Sequence, residues 1–178
     1  MNIKHSPRSA SPRRTRLLVC GLALLVLVLS GAAQALAAER VAILPFRNYN
    51  GSLDYAAPSY TLADSLHSML QPLNSAGKIQ LVPIDSVEFA LAGLNLDPSN
   101  PQYESDMWRA VEMLQADKVI TGTYNVKYKK IFVNAYIYDV KTKIQNQEYQ
   151  AKNVYKKYDE ALETVEKLYK ELAPFFEQ

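Results

Sequence analysis

The chain has 178 residues, with 20 Lys and Arg against 18 Asp and Glu and a formal net charge of +2, a length that suits one domain. Its first 37 residues carry Lys4, Arg8, Arg13, Arg14 and Arg16 and no acid, so beyond them 15 basic residues face 18 acidic ones, a net charge of −3. Nothing in that balance predicts nucleic-acid binding, which needs a concentrated basic face, and the absence of cysteine beyond Cys20 excludes disulfides and cysteine-based zinc sites from the rest of the chain.

The basic start is followed by the apolar run "LLVCGLALLVLVL" and then by small residues ending in Ala35-Leu36-Ala37. This is the pattern of a secretory signal peptide cleaved after Ala37. The alternative is an uncleaved signal anchor in the inner membrane, since residues 17–38 are long enough to cross a bilayer. Both readings place the remainder in the periplasm. Arg16 stands where a twin-arginine signal would be apolar, so the general secretory route is expected. Cys20 follows Val19 near the beginning of the apolar run, the wrong place for an acylated cysteine.

Residues 38–178 read as a single domain. Val41 to Phe46 is a continuous apolar run closed by Pro45 and a polar stretch, as expected of a central strand buried on both faces. From Thr61, Leu62, Leu66, Met69, Leu70 and Leu73 predict a helix, with Thr61 and Asp64 as a capping box and Pro72, Asn74 and Gly77 as its end. A short strand, 79–82, precedes a second helix opening at Asp85 and Glu88. After a loop broken by Pro98 and Pro101, Met107, Ala110, Val111 and Leu114 mark a third.

The period then changes to two. Val133, Ala135 and Ile137 alternate with Asn134, Tyr136 and Tyr138, and three antiparallel strands are predicted at 118–126, 131–140 and 143–150, with turns at Lys129-Lys130 and Lys141-Thr142-Lys143. A last amphipathic helix buries Ala161, Val165, Leu168 and Leu172 and pairs Glu163 with Lys167 and Glu166 with Lys170. The order β-α-β-α-α-β-β-β-α implies an α/β fold, a layered α/β sandwich with a mixed sheet.

The polar stretch "RNYNGSLDY" invites a ligand reading. A phosphate loop needs several glycines and a lysine, and this one has Gly51 and no lysine. Asn48, Asn50, Ser52 and Asp54 alternate as calcium ligands do, but only one is charged. Asp97, Asn100, Glu104 and Asp106 lack regular ligand spacing. His67, alone in this part of the chain, has no serine in a nucleophile-elbow context to activate. No catalytic residue, cofactor or metal is expected, and Asn50-Gly51-Ser52 matches a glycosylation sequon only by its three residues.

All twelve tyrosines lie beyond the leader, and Tyr124, Tyr128, Tyr136, Tyr138 and Tyr149 fall in or beside the predicted strands. Either helices cover the face that bears Tyr136 and Tyr138, or that face is exposed for protein or glycan contact.

"VAILPFRNYNGSLDYAAPSYTLADSLHSML", "IQLVPIDSVEFAL" and "LQADKVITGTYNVKYKKIFVNAYIYDVKTKIQNQEYQ" together resemble the amino-terminal domain of TolB and its relatives in the FlgO, CsgG and LpoB group of bacterial envelope proteins. The likeness covers residues 40–173, with Gly122, Asp139 and Thr142 at matching places and Lys143 where the family often has Gly. It does not extend to the TolB propeller and its Pal contact, and the missing lipobox departs from LpoB and CsgG.

The resemblance implies a non-enzymatic periplasmic accessory domain that binds other envelope proteins of assembly, transport or peptidoglycan-synthesis machinery; the fold does not select the partner. Tyr136, Tyr138, Tyr124, Tyr49 and Asp54 are the candidate partner-binding residues, with strand addition at a sheet edge as one mode. The alternative is a periplasmic binding protein for a glycan fragment or peptide, with a concave pocket of Tyr and Asn near "RNYNGSLDY".

Overall fold

A computed structural model describes residues 38–178; the leader, with its signal-peptide or anchor reading, lies outside the described residues. The strands are β1 (Glu39–Ile43), β2 (Arg47–Asn48), β3 (Ile79–Leu81), β4 (Lys118–Lys127), β5 (Lys130–Asp139) and β6 (Gln145–Lys157). The α-helices are α1 (Pro58–Ser75), α2 (Ile84–Gly93), α3 (Tyr103–Met113) and α4 (Thr164–Leu172). Among the described residues no helix is long and apolar enough to cross a membrane.

The sheet order is β3-β1-β4-β5-β6, with β2 beside β4. β1 runs parallel to β3 and β4, while β4, β5 and β6 form an antiparallel meander. The result is the expected α/β sandwich with a mixed sheet. Helices α1 and α4 cover one face over Val41, Ile43, Ile120, Val133, Ala135 and Ile137. Helices α2 and α3 cover the other over Ala42, Leu44 and Val119. From Val41 on, successive residues therefore enter opposite cores, which is why the run Val41-Ala42-Ile43-Leu44 is apolar throughout.

That strand ends sooner than Phe46, because Pro45 has no N–H to give a ladder. Leu44 N still donates to Ile120 O at 2.9 Å; the chain then steps aside and returns as β2, whose Arg47 and Asn48 pair with Thr123 and Tyr124. This two-residue strand adds an element to the predicted order. Between the two pieces the Phe46 ring lies on Gly122. A Cβ there would stand 2.3 Å from Phe46 Cε1 and 2.2 Å from the Asn134 backbone oxygen. The "LPF" and "TGT" strings are thus two halves of one contact.

Helix α1 starts at Pro58, whose fixed φ and missing N–H suit a first helical turn. The capping box does not form; Thr61 Oγ1 instead donates to Ala57 O at 3.2 Å. Pro72 lies inside the helix. The stop is made by Gly77, at φ +71°, where Gly77 N donates to Asn74 O and Lys78 N to Leu73 O, each at 3.0 Å, a Schellman motif.

The first hairpin turn falls on Tyr128-Lys129, at φ +52° and +59°, one position before the predicted pair. Strand β6 continues seven residues past its predicted end; two register shifts and Asn153 at φ +53° break the alternation that would have announced it. Ala161 lies in a 3-10 turn ahead of α4. Glu166 meets Lys170 at 2.6 Å as predicted, while Glu163 meets Lys156 at 2.7 Å rather than Lys167.

Candidate functional site: the open face of the meander

Alternation places Val119, Thr121, Thr123, Asn125 and Lys127 of β4 on one face, opposite Tyr138, Tyr136, Asn134, Phe132 and Lys130 of β5. This is the face of α2 and α3, and α3 reaches only the part of it up to Thr123 and Asn134, where its Glu104, Met107 and Trp108 line a cavity with the strand residues. Trp108 of α3 packs on Tyr138, ring centroids 5.7 Å apart and nearly perpendicular. The rows beyond carry polar and aromatic side chains that no helix covers. Tyr138 is tucked against a helix, and Tyr136, half-buried, lines the cavity beside it.

Next to them the polar loop supplies Tyr49, 53% exposed. Its hydroxyl donates to Glu104 Oε1 at 3.3 Å, its ring lies under the Arg47 guanidinium at 4.5 Å, and Arg47 forms an ion pair with Glu104. Tyr136 and Tyr138 follow, centroids 6.4 Å apart. Tyr49, Glu104, Tyr136 and Tyr138, with Trp108, Thr121, Thr123 and Asn134, line a cavity of about 370 Å³. Burial, then the Glu104 carboxylate, raises the pKa of the Tyr49 hydroxyl, against a lowering by Arg47. Burial first, then neighbouring tyrosines and Glu104, raises those of Tyr136 and Tyr138. All three remain neutral hydroxyls able to donate and accept.

Two of the five predicted contact residues fall elsewhere. Tyr124 is fully buried, and its hydroxyl bonds to Ser59 Oγ at 3.0 Å and donates to Tyr55 O. Burial pushes its pKa up to about 12. It ties the start of α1 to the sheet and is a core residue, because its position in β4 has the opposite parity to Thr123. Asp54 is exposed on the 3-10 turn Leu53–Tyr55 and does not line this cavity.

The loop between β2 and α1 uses its polar side chains internally. Asn48 Oδ1 accepts from Asn50 N at 3.0 Å and Asn48 Nδ2 donates to Ser52 O at 2.9 Å. Asn50 Oδ1 accepts from Val126 N at 2.6 Å while its Nδ2 donates to Val126 O at 3.1 Å, so its amide imitates a strand residue beside β4. In the second acidic stretch Asp97 and Asn100 accept from Ser99 N and Gln102 N, and Glu104 turns to Arg47. Among the described residues no three metal-ligating side chains converge. His67 Nε2 bonds to Val82 O at 3.2 Å and its Nδ1 to Gln71 Nε2 at 3.4 Å.

Arg47 and Trp108 are site residues the sequence reading did not single out, and Glu104 was weighed there only as a metal ligand. Glu104 comes from a helix 57 positions away from Arg47, a separation that no local pattern spans.

No protein-family model matches the chain, and no curated protein matches it. Solved structures do. The LpoB C-terminal domain from Salmonella enterica is 18% identical over 72% of this chain and 90% of that chain, with a TM-score of 0.43. Lipoprotein GNA1162 from Neisseria meningitidis is 15% identical over 67% and 80%, with a TM-score of 0.46. TolB from Acinetobacter baumannii is 18% identical over 72% of this chain and 25% of that chain, with a TM-score of 0.38. At these values the fold assignment rests on the chain's own sheet order and core. The solved structures to which it is similar include LpoB and TolB, matching the TolB amino-terminal and LpoB-type envelope group that its sequence resembles.

Proposed function

We propose that this protein is an exported, non-enzymatic accessory domain of the periplasm that binds other cell-envelope proteins, and that the open face of the meander is its contact surface. One observation carries the reading: Tyr49, Tyr136 and Tyr138 come together at a cavity between the sheet face and α3, beside the Arg47–Glu104 pair. Tyrosine joins large apolar area to a polar tip, the chemistry of protein contact anchors. The leader supports export, and the names of the similar structures, an LpoB domain and a lipoprotein, fit an envelope setting.

The test is site-specific photocrosslinking in intact cells, with the crosslinker at Tyr136 and at Tyr155 on the open face and at the exposed Lys167 of α4 as the control. Discrete adducts from the open-face positions alone are expected. Equal yields at all three sites would overturn the reading.

A second reading has its own support, since a cavity lined by Tyr49, Asn134 and Tyr136 is what a glycan or peptide fragment needs. Thermal-shift screening separates the two, because a ligand well above its dissociation constant raises the unfolding midpoint by mass action.

A further inference from the structure

The far end of the same face carries an arrangement that local energetics disfavour. Lys127 is the register partner of Lys130, and Lys130 of Lys157, so three exposed lysines lie in one row across β4, β5 and β6. Like charges directly opposite one another on adjacent strands destabilise a sheet. Relief is slight among the described residues: Lys157 meets Glu160 at 2.9 Å, Lys130 lies 5.3 Å from the Tyr155 ring, and Lys127 meets no acid. Lys129 at the hairpin tip adds a fourth cation. Asp159 is the one acid lining the cavity of about 570 Å³ that this tip forms with Tyr55, Tyr128 and Tyr158. The concentration runs against the net negative charge of residues 38–178.

Beside the row, Phe132 and Tyr155 present two rings 5.8 Å apart and tilted by 34°, with Tyr155 58% exposed. Cations alone would suit any polyanion. A cation row bordered by paired aromatic rings suits an acidic chain that also carries apolar or aromatic side chains.

We propose that the row Lys127–Lys130–Lys157, with the Phe132–Tyr155 pair, docks an acidic, aromatic-bearing segment of a protein partner. This rests on the reading of the open face as a protein-contact surface and adds the partner's chemistry. Carboxylates lie along the lysines, relieving their repulsion, and an apolar side chain rests on the two rings.

The test uses the exported protein and three probes: a glutamate–tyrosine copolymer, polyglutamate and polygalacturonate, titrated by fluorescence anisotropy. The copolymer is expected to bind best and to weaken with salt. Lys127→Gln with Lys130→Gln should weaken it about tenfold or more, and Tyr155→Ala should weaken the copolymer more than polyglutamate. Circular dichroism confirms that each variant is folded; should the double variant not fold, the single Lys127→Gln variant, at an exposed position, serves in its place and is likewise expected to weaken binding. Copolymer affinity indifferent to the lysines overturns the proposal. So does polygalacturonate binding at least as tightly, which would make the surface a glycan site. Crosslinks at Tyr136 together with no copolymer binding sink this proposal alone; copolymer binding without crosslinks sinks the broader reading instead.

Discussion

The two faces of the meander are made by the same three strands and meet opposite fates. On one, Ile120, Tyr124, Val133, Ala135 and Ile137 are closed under α1 and α4. On the other, Thr121, Thr123, Asn134, Tyr136 and Phe132 alternate with them; α3 packs Trp108 on Tyr138 and leaves a cavity over Thr121, Thr123, Asn134 and Tyr136. The difference shows that a tyrosine's role here depends on parity: Tyr124 is structural, and Tyr136 is at the surface. Substitutions on the closed face should act on stability, and those on the open face on binding.

The largest effect is expected at Gly122. An alanine methyl there meets the Phe46 ring and the Asn134 backbone oxygen at distances no real Cβ tolerates, so the strands or the β1–β2 joint must shift. Overpacking of this kind costs about 3 kcal/mol or more when backbone blocks relaxation. Denaturant melts should show the loss directly, and an unchanged midpoint would place Phe46 elsewhere.

Next comes Tyr124→Phe, which removes a buried hydroxyl and leaves the Tyr55 carbonyl and Ser59 without that partner. A loss of about 1–3 kcal/mol is expected, with crosslinking at Tyr136 unaffected. If Tyr124→Phe abolished crosslinking while the fold stayed intact, the division between faces would be wrong.

The turn closing β5 onto β6 gives a smaller effect. Asp139 Oδ1 accepts from Thr142 N and Thr142 Oγ1, both at 2.8 Å, and Lys143 follows at φ +58°. Here is the position where the resembled family often has Gly. A lysine in the left-handed region costs about 1 kcal/mol, but its ammonium sits 5.4 Å from the Trp108 ring and 3.6 Å from Glu112. Lys143→Gly loses those contacts and relieves the backbone, whereas Lys143→Ala loses them and keeps the strain. The glycine variant should be the more stable by about 1 kcal/mol. The hydrogen bond from Lys118, then those from Thr142, lower the Asp139 pKa. Its stabilisation is therefore present at neutral pH and is lost as pH falls through and below the ordinary carboxylate range. Asp139→Asn should flatten that part of an acid-unfolding profile.

Much of the fold was legible because burial writes a period into sequence: 3.6 in α1, two in β5, none in β1. What stayed hidden has no period. Strand β2 is two residues long and follows a proline. The end of β6 is bulged at Asn153, and the turn at Tyr128-Lys129 uses residues unlike the Asn and Gly usual at positive φ. The site was half legible. Tyr136, Tyr138 and Tyr49 were found as residue types on a predicted face or loop. Tyr124 was misplaced because β4 had no assigned inward parity, and Glu104 could not be joined to Tyr49 without the packing of α3 beside the loop.

The smallest stability effect is the most informative about function. Tyr136→Ser removes a half-exposed ring at the mouth of the cavity, away from the α1–α4 core, and exposed substitutions of this kind usually stay within about 0.5 kcal/mol. Its partner across the ladder, Thr121, is already short and polar, so no apolar neighbour in that row loses its cover. With stability held, a loss of crosslinked adducts from Tyr155 in the Tyr136→Ser background would mean that the partner needs the ring itself. The same substitution on the closed-face parity, Val133→Ser, would remove the fold and the adducts together. Adducts that survive Tyr136→Ser undiminished would move the contact toward the lysine end of the face.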